Sequence, residues 1–126
     1  MNPNDNRLDV LTYQGVPFSD AITLEDSAGA VYPLTGRLVT ANVWDGSPDA
    51  PGEIVLAVTE AASLIARNTV TGVVTRTLTA AAMAALAVGD YWYELVVTTT
   101  GGTVVDRPCW GFHQHLPSGV GVVADE

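Results

Sequence analysis

Residues 79–107 read TAAAMAALAVGDYWYELVVTTTGGTVVDR, and the fold turns on this stretch. Thr79 has the chemistry of a helix N-cap, because its hydroxyl accepts a bond from a free N–H of the first turn. Alanines at 80, 81, 82, 84, 85 and 87 are strong helix formers. Met83 and Leu86, three apart, share a face that can press onto a sheet. Gly89 is expected to stop the helix in the left-handed conformation, so one short helix is expected near 80–88. A helix of about nine residues is too short to stand alone in water, so packing has to hold it. From Asp90 the chain turns aromatic, β-branched and Thr-rich, which is strand composition. Alternation puts Tyr91, Tyr93, Leu95 and Val97 on one face, the better core face. Trp92, Glu94, Val96 and Thr98 take the other. Gly101-Gly102 suits a two-residue hairpin turn, and Thr103 to Val105 begin the return strand.

Upstream, short strands are expected over Leu8–Tyr13, Ala21–Glu25, Arg37–Trp44, Glu53–Glu60 and Val70–Leu78, with a short return strand over Ala30–Leu34. Gly72 marks a bulge or kink. The segment 45–52, DGSPDAPG, is the most loop-like in the chain. Ala61–Asn68 fits either a helical turn or a continuing strand. Glu53–Glu60 is apolar on both faces, as in a strand buried on both sides or a covered edge. Pro108–Leu116 reads as a separate final strand. The sum is an all-β protein, an antiparallel, Ig-like β-sandwich of about 7–9 strands, with a small closed barrel as the alternative. Residues 1–7 read as an N-terminal arm, 8–116 as one sandwich domain, and 117–126 as a C-terminal arm. That last segment has three valines, too apolar for an ordinary tail.

The 126 residues carry a net charge of −9 and no lysine; the cations are Arg7, Arg37, Arg67, Arg76 and Arg107. Nucleic acid needs clustered cations, so it is not expected as a partner. Anionic membrane surfaces are not expected as partners on the same ground. No apolar run approaches the ~20 residues that span a bilayer, and the polar N-terminus has no signal-peptide core. Cys109 is the one cysteine, so no intrachain disulfide forms. It is expected to be a small buried hydrophobe.

His113 and His115, two apart on a strand, point to one face, a spacing that can bind a metal. Two ligands are too few, so the pair is expected on a solvated edge or in an interface. Asp45, Asp49 and Glu53 lack the order of a calcium loop. No serine lies in a nucleophile turn, and the glycines form no phosphate cradle. No catalytic, cofactor-binding or metal residue is therefore assigned, and no cofactor. Trp44, Trp92, Trp110, Tyr91, Tyr93 and Phe112 are core or interface residues first, and a sugar-binding face second.

One set of residues carries a resemblance. Leu78-Thr79, Met83, Leu86, then Gly89-Asp90-Tyr91-Trp92-Tyr93-Glu94-Leu95, Gly101-Gly102 and Val104-Val105 resemble a pattern in small tailed-bacteriophage structural proteins. Gly15, Phe18, Ile22, Leu24, Asp26, Gly29, Leu34-Thr35-Gly36, Val39, Ala41 and Val43 extend it. The pattern covers roughly residues 14–112 and is similar to β-sandwich modules of tail-fibre, baseplate-adaptor and head-accessory type. Its motifs mark a fold, not a catalyst. The resemblance implies a non-enzymatic virion protein, made in the host cytoplasm and assembled with other virion proteins, the major capsid or tail proteins, as a homo-oligomer. It favours a capsid decoration or head accessory protein bound through its termini and exposed aromatics. The alternative is a tail, fibre or baseplate component that binds a host glycan. The interface expected from these readings is Asn2, Pro3, Trp92, Trp110, His113, His115, Val120 and Val122.

Overall fold

The computed structural model describes residues 7–26 and 28–117. Eight strands and one helix follow in the order β1 (Val10–Tyr13), β2 (Phe18–Thr23), β3 (Arg37–Ser47), β4 (Ala50–Thr59), β5 (Ile65–Arg67), β6 (Val73–Leu78), α1 (Ala80–Ala85), β7 (Gly89–Thr99) and β8 (Val104–Leu116). One sheet has the order β1-β8-β7-β3-β4, the other β2-β6-β5. The mostly β, two-sheet, sandwich-like architecture expected from the sequence is present. Its pairings are antiparallel except at one edge, where β1 runs parallel to β8 from Val10 opposite His113 to Tyr13 opposite Leu116. That departs from a wholly antiparallel sandwich. Parallel neighbours need a long connection, and here nearly the whole chain supplies it. Of the two expected arms, only Arg7 and Pro117 lie within the described residues; Arg7 bridges Trp110.

The core lies between the sheets. Val39, Ala41 and Val43 of β3, Tyr93, Leu95 and Val97 of β7, and Val74 and Leu78 of β6 are buried, with Leu34 and Met83. Each such aliphatic side chain contributes roughly 1.5–3 kcal/mol through burial. The alternation expected for β3 is therefore the real one; in β7 Leu95 and Val97 join the core as expected, while Trp92, Glu94 and Val96 of the opposite face are buried as well. Thr79 caps α1 as expected, its Oγ1 accepting from Ala82 N at 3.1 Å. The helix is shorter than 80–88, because Leu86 is already extended at φ −75°, ψ 128°. Gly89 opens β7 and is not the helix stop. The exit is set by tertiary contacts: Leu86 is buried in the core, and Tyr91 Oη donates to Ala87 O at 2.6 Å.

Other local expectations change for identifiable reasons. The β7–β8 turn holds three residues, enclosed by Gly102 N to Thr99 O (3.0 Å) and Thr99 N to Thr103 O (2.9 Å). Gly102 sits at φ +94°, the left-handed position that a three-residue hairpin loop requires. The return strand and the supposed final strand are one strand, β8, because register shifts opposite Leu95, Val97 and Thr98 accommodate Pro108. The segment 45–52 is mostly paired: Ser47 opposes Ala50 and Gly46 opposes Pro51. Asp45 Oδ1 accepts from Glu53 N at 2.7 Å and ties this hairpin together. Residues 30–34 form no strand, only the bridge of Glu25 with Val31. Gly72 closes a turn by donating to Asn68 O at 2.8 Å, just before β6. β4 is an edge strand whose Ile54 and Val55 are exposed, and register shifts opposite Val43, Trp44 and Gly46 twist it.

Candidate functional site

Along β8 burial alternates. Cys109, Gly111, His113 and His115 are buried, while Trp110 is half-buried and Phe112 and Gln114 are exposed. His113 and His115 therefore do not lie on a solvated edge or in an outward interface; both are 0% exposed. The correction has a simple cause. β1 lies along the edge of β8 and inserts Thr12 between the rings. Thr12 Oγ1 is 2.7 Å from His113 Nε2 and 2.7 Å from His115 Nδ1. His115 Nε2 is 2.9 Å from Met83 O of α1.

The chemistry of the groups fixes the protons. A carbonyl only accepts, so His115 carries its proton on Nε2. Its Nδ1 then accepts, and the Thr12 hydroxyl donates to it. That hydroxyl has one proton, so His113 must donate to it from Nε2. With one proton on each ring, His113 Nδ1 is left as a bare acceptor; it is buried without a partner among the described residues. Burial lowers the His113 pKa to about 4, and the positive charge of Arg76 and neighbouring His115 push the same way.

Arg76 of β6 is also 0% exposed. It donates from Nε and Nη2 to the two oxygens of Asp20 on β2, at 3.0 and 2.7 Å. Its guanidinium carbon lies 4.3 Å from the Tyr93 ring centre and 5.7 Å from that of Phe18. Nη1 has no acceptor among the described residues. Tyr93 Oη donates to Leu8 O at 2.5 Å and lies 4.0 Å from Cys109 Sγ. Burial raises the pKa of both the phenol and the thiol. Cys109 is free and buried, as expected, and a raised thiol pKa disfavours nucleophilic use. These groups are turned on one another between the sheets.

The opposite face of the five-stranded sheet carries a row of large side chains. Trp44 opposes Ile54 on one side and Trp92 on the other, and Trp92 opposes Phe112. The Trp44 and Trp92 rings stack at 5.6 Å and 11°. Trp110 meets Phe112 edge-on at 5.4 Å. Arg7 lies 4.6 Å over Phe112 and 5.7 Å over Trp110, held by a 2.8 Å ion pair with Asp9. Glu94 pairs with Arg107 at 3.0 Å. Trp92 faces outward, as alternation predicted, yet is 8% exposed, because its flanking aromatic neighbours enclose it. Phe112, by contrast, is 39% exposed.

Of the residues expected at an interface, Trp92 and Trp110 share this outer face and His113 and His115 do not. Asn2, Pro3, Val120 and Val122 lie outside the described residues. Among the described residues no three His, Cys, Asp or Glu gather as metal ligands. Thr12, Asp20 and Arg76 escaped the sequence reading. Arg76 could have been found, since it alternates with Val74 and Leu78 on the inward side of β6. The chain matches no protein-family model and no curated protein.

Proposed function

We propose that this is a non-enzymatic assembly protein of a tailed-phage virion, a capsid decoration or head accessory component on an Ig-like sandwich. The observation that carries the reading is the outer face of the five-stranded sheet. Phe112 is exposed there beside Trp110, Leu11 is exposed on β1 opposite Gln114, and Ile54 continues the row. Aromatic clusters with an arginine at their centre are the usual anchors of protein interfaces. His113, His115, Arg76, Tyr93 and Cys109, in contrast, are enclosed between the sheets, which suits a scaffold. The Ig-like assignment draws on the sheet order, on the helix between β6 and β7, and on the Tyr91–Ala87 bond. That bond is the kind of tyrosine corner such sandwiches use at this position. The glycan-binding alternative gains nothing from Trp44 and Trp92, whose rings face each other instead of solvent. The test is co-sedimentation of purified protein with particles of the phage that encodes it. Wild-type protein should pellet with the particles. Phe112→Asp should weaken binding roughly 30-fold, the loss of one anchor residue, while its circular dichroism stays native. Failure of the wild-type protein to bind refutes the proposal.

A further inference from the structure

The buried Thr12–His113–His115 network joins three elements. Thr12 belongs to β1, both imidazoles to β8, and the carbonyl that holds His115 to α1. β1 is only four residues long and is an outer strand of its sheet. Its other ties include the parallel ladder, Leu8 N to Trp110 O and Gln14 N to Leu116 O, both 2.8 Å, the Tyr93 bond to Leu8 O, and just before β1 the Asp9 carboxylate, which accepts from Phe112 N at 2.9 Å and pairs with Arg7. We propose that the Thr12 hydroxyl is an acid-sensitive clasp, holding β1 on β8 while both imidazoles are neutral and releasing it on acidification ahead of any global unfolding.

The argument rests on donors and acceptors. In the neutral network Thr12 gives its one proton to His115 Nδ1 and accepts from His113 Nε2. If His115 gains a proton at Nδ1, that nitrogen becomes a donor, and the Thr12 proton loses its acceptor. If His113 gains a proton at Nδ1, a buried N–H and a positive charge appear where no partner waits among the described residues. The groups facing His113 do not relieve this. Arg76 of β6 adds repulsion, and Asp20 of β2 is the one carboxylate acting on it. Asp20 is already held by both nitrogens of Arg76. Tyr91 of β7 meets the ring edge-on, and His115 of β8 lies 6.2 Å away, also edge-on. Tyr93 of β7 spends its proton on Leu8 O, and Cys109 of β8 stays protonated. From α1 comes only the Met83 carbonyl, which His115 occupies.

Linkage then selects the smallest opening. Global unfolding and release of β1 both let the imidazoles reach water and ionise. Release of β1 sacrifices one short outer strand, whereas unfolding sacrifices the core. Local openings of this kind cost a fraction of the global free energy. A ligand that binds the open form, here the proton, favours the cheaper opening first. The released edge of β8 then becomes available to another strand. This inference stands on the monomer's own hydrogen bonds and holds whether or not the chain is a virion component.

The test is a two-dimensional 15N–1H NMR titration of the full chain from pH 7.5 to 3.5. Amide signals of Val10–Tyr13 should leave their sheet positions with a midpoint between pH 4 and 6.5, while β3 and β4 signals stay in place. His113→Phe should lower that midpoint by a pH unit or more. Two results overturn the clasp: β1 and β3 signals moving together at one midpoint, or β1 remaining docked to pH 3.5. Both are read on the wild-type protein, so the outcome does not depend on the variant folding.

Discussion

Replacing Asp20 by Asn should harm this protein more than removing its partner Arg76. The two side chains form one ion pair at 2.7 Å, but their surroundings differ: Arg76 is 0% exposed and Asp20 is 25% exposed at the side chain. Asp20→Asn leaves a guanidinium buried against Tyr93 with a neutral partner. One hydrogen bond survives through the amide oxygen, so the cost is set near the lower end for a broken buried pair, about 3 kcal/mol. Arg76→Met instead takes the charge out of the core and fills the space with a flexible apolar chain. It also removes Nη1, which has no acceptor among the described residues. The carboxylate left behind reaches water. The expected cost is about 1 kcal/mol, that of a tolerated core swap. The double variant should recover most of the Asp20→Asn loss, since the uncompensated charge is gone. Urea melts followed by circular dichroism and Trp fluorescence measure this as midpoint shifts at unchanged slope. In thermal scans 3 kcal/mol corresponds to roughly 10–15 °C for a domain of this size. The reasoning fails if Arg76→Met alone costs as much as Asp20→Asn, or if the double variant is additive.

Three further outcomes follow from the same geometry. At Gly111 a Cβ would lie 1.9 Å from Leu8 O and 2.9 Å from a Tyr93 ring carbon; Gly111→Ala should therefore cost about 1–3 kcal/mol and loosen Leu8 from Tyr93, seen as faster amide exchange at Leu8 and Val10. Stability should fall with acid through His113. Its folded pKa of about 4 lies below the ordinary 6.5, so the unfolded chain binds more protons between those values; at most roughly 3 kcal/mol present above pH 6.5 should be lost by pH 4, the loss levelling off once β1 is released, and urea midpoints across that window should show it, with a flatter profile in His113→Phe. Tyr91→Phe removes the Oη bond to Ala87 O and should cost about 1 kcal/mol, with no change in the pH profile; a loss above about 3 kcal/mol would mean that the corner does more than one hydrogen bond.

Period and turn chemistry made much of the fold legible. In β3 the apolar half is the buried half, so alternation picked Val39, Ala41 and Val43; in β7 it placed Leu95 and Val97 in the core, although Trp92, Glu94 and Val96 of the other face are buried too. Thr79 was readable as a cap because capping is local. β8 defeated the same method. Its outward positions carry Trp110 and Phe112 and its inward positions carry His113 and His115, so side-chain polarity points to the wrong face. Nothing near β8 in the chain reveals this, because the hydroxyl that satisfies His113 lies 101 residues away.

A mostly β chain with one short capped helix, a Gly-tipped hairpin, a buried lone cysteine and an acidic composition without lysine are all written in the amino acids. These depend on propensity, period and composition, which act over a few residues or over the whole chain at once. Tertiary structure decided the rest. It brought β1 alongside β8 in parallel, enclosed two histidines around one threonine, placed Arg76 on Tyr93 and enclosed Trp92 on an outward face. Each of these rests on pairing between distant segments, where hydrogen-bond complementarity inside a dry interior outweighs the polarity of any single side chain.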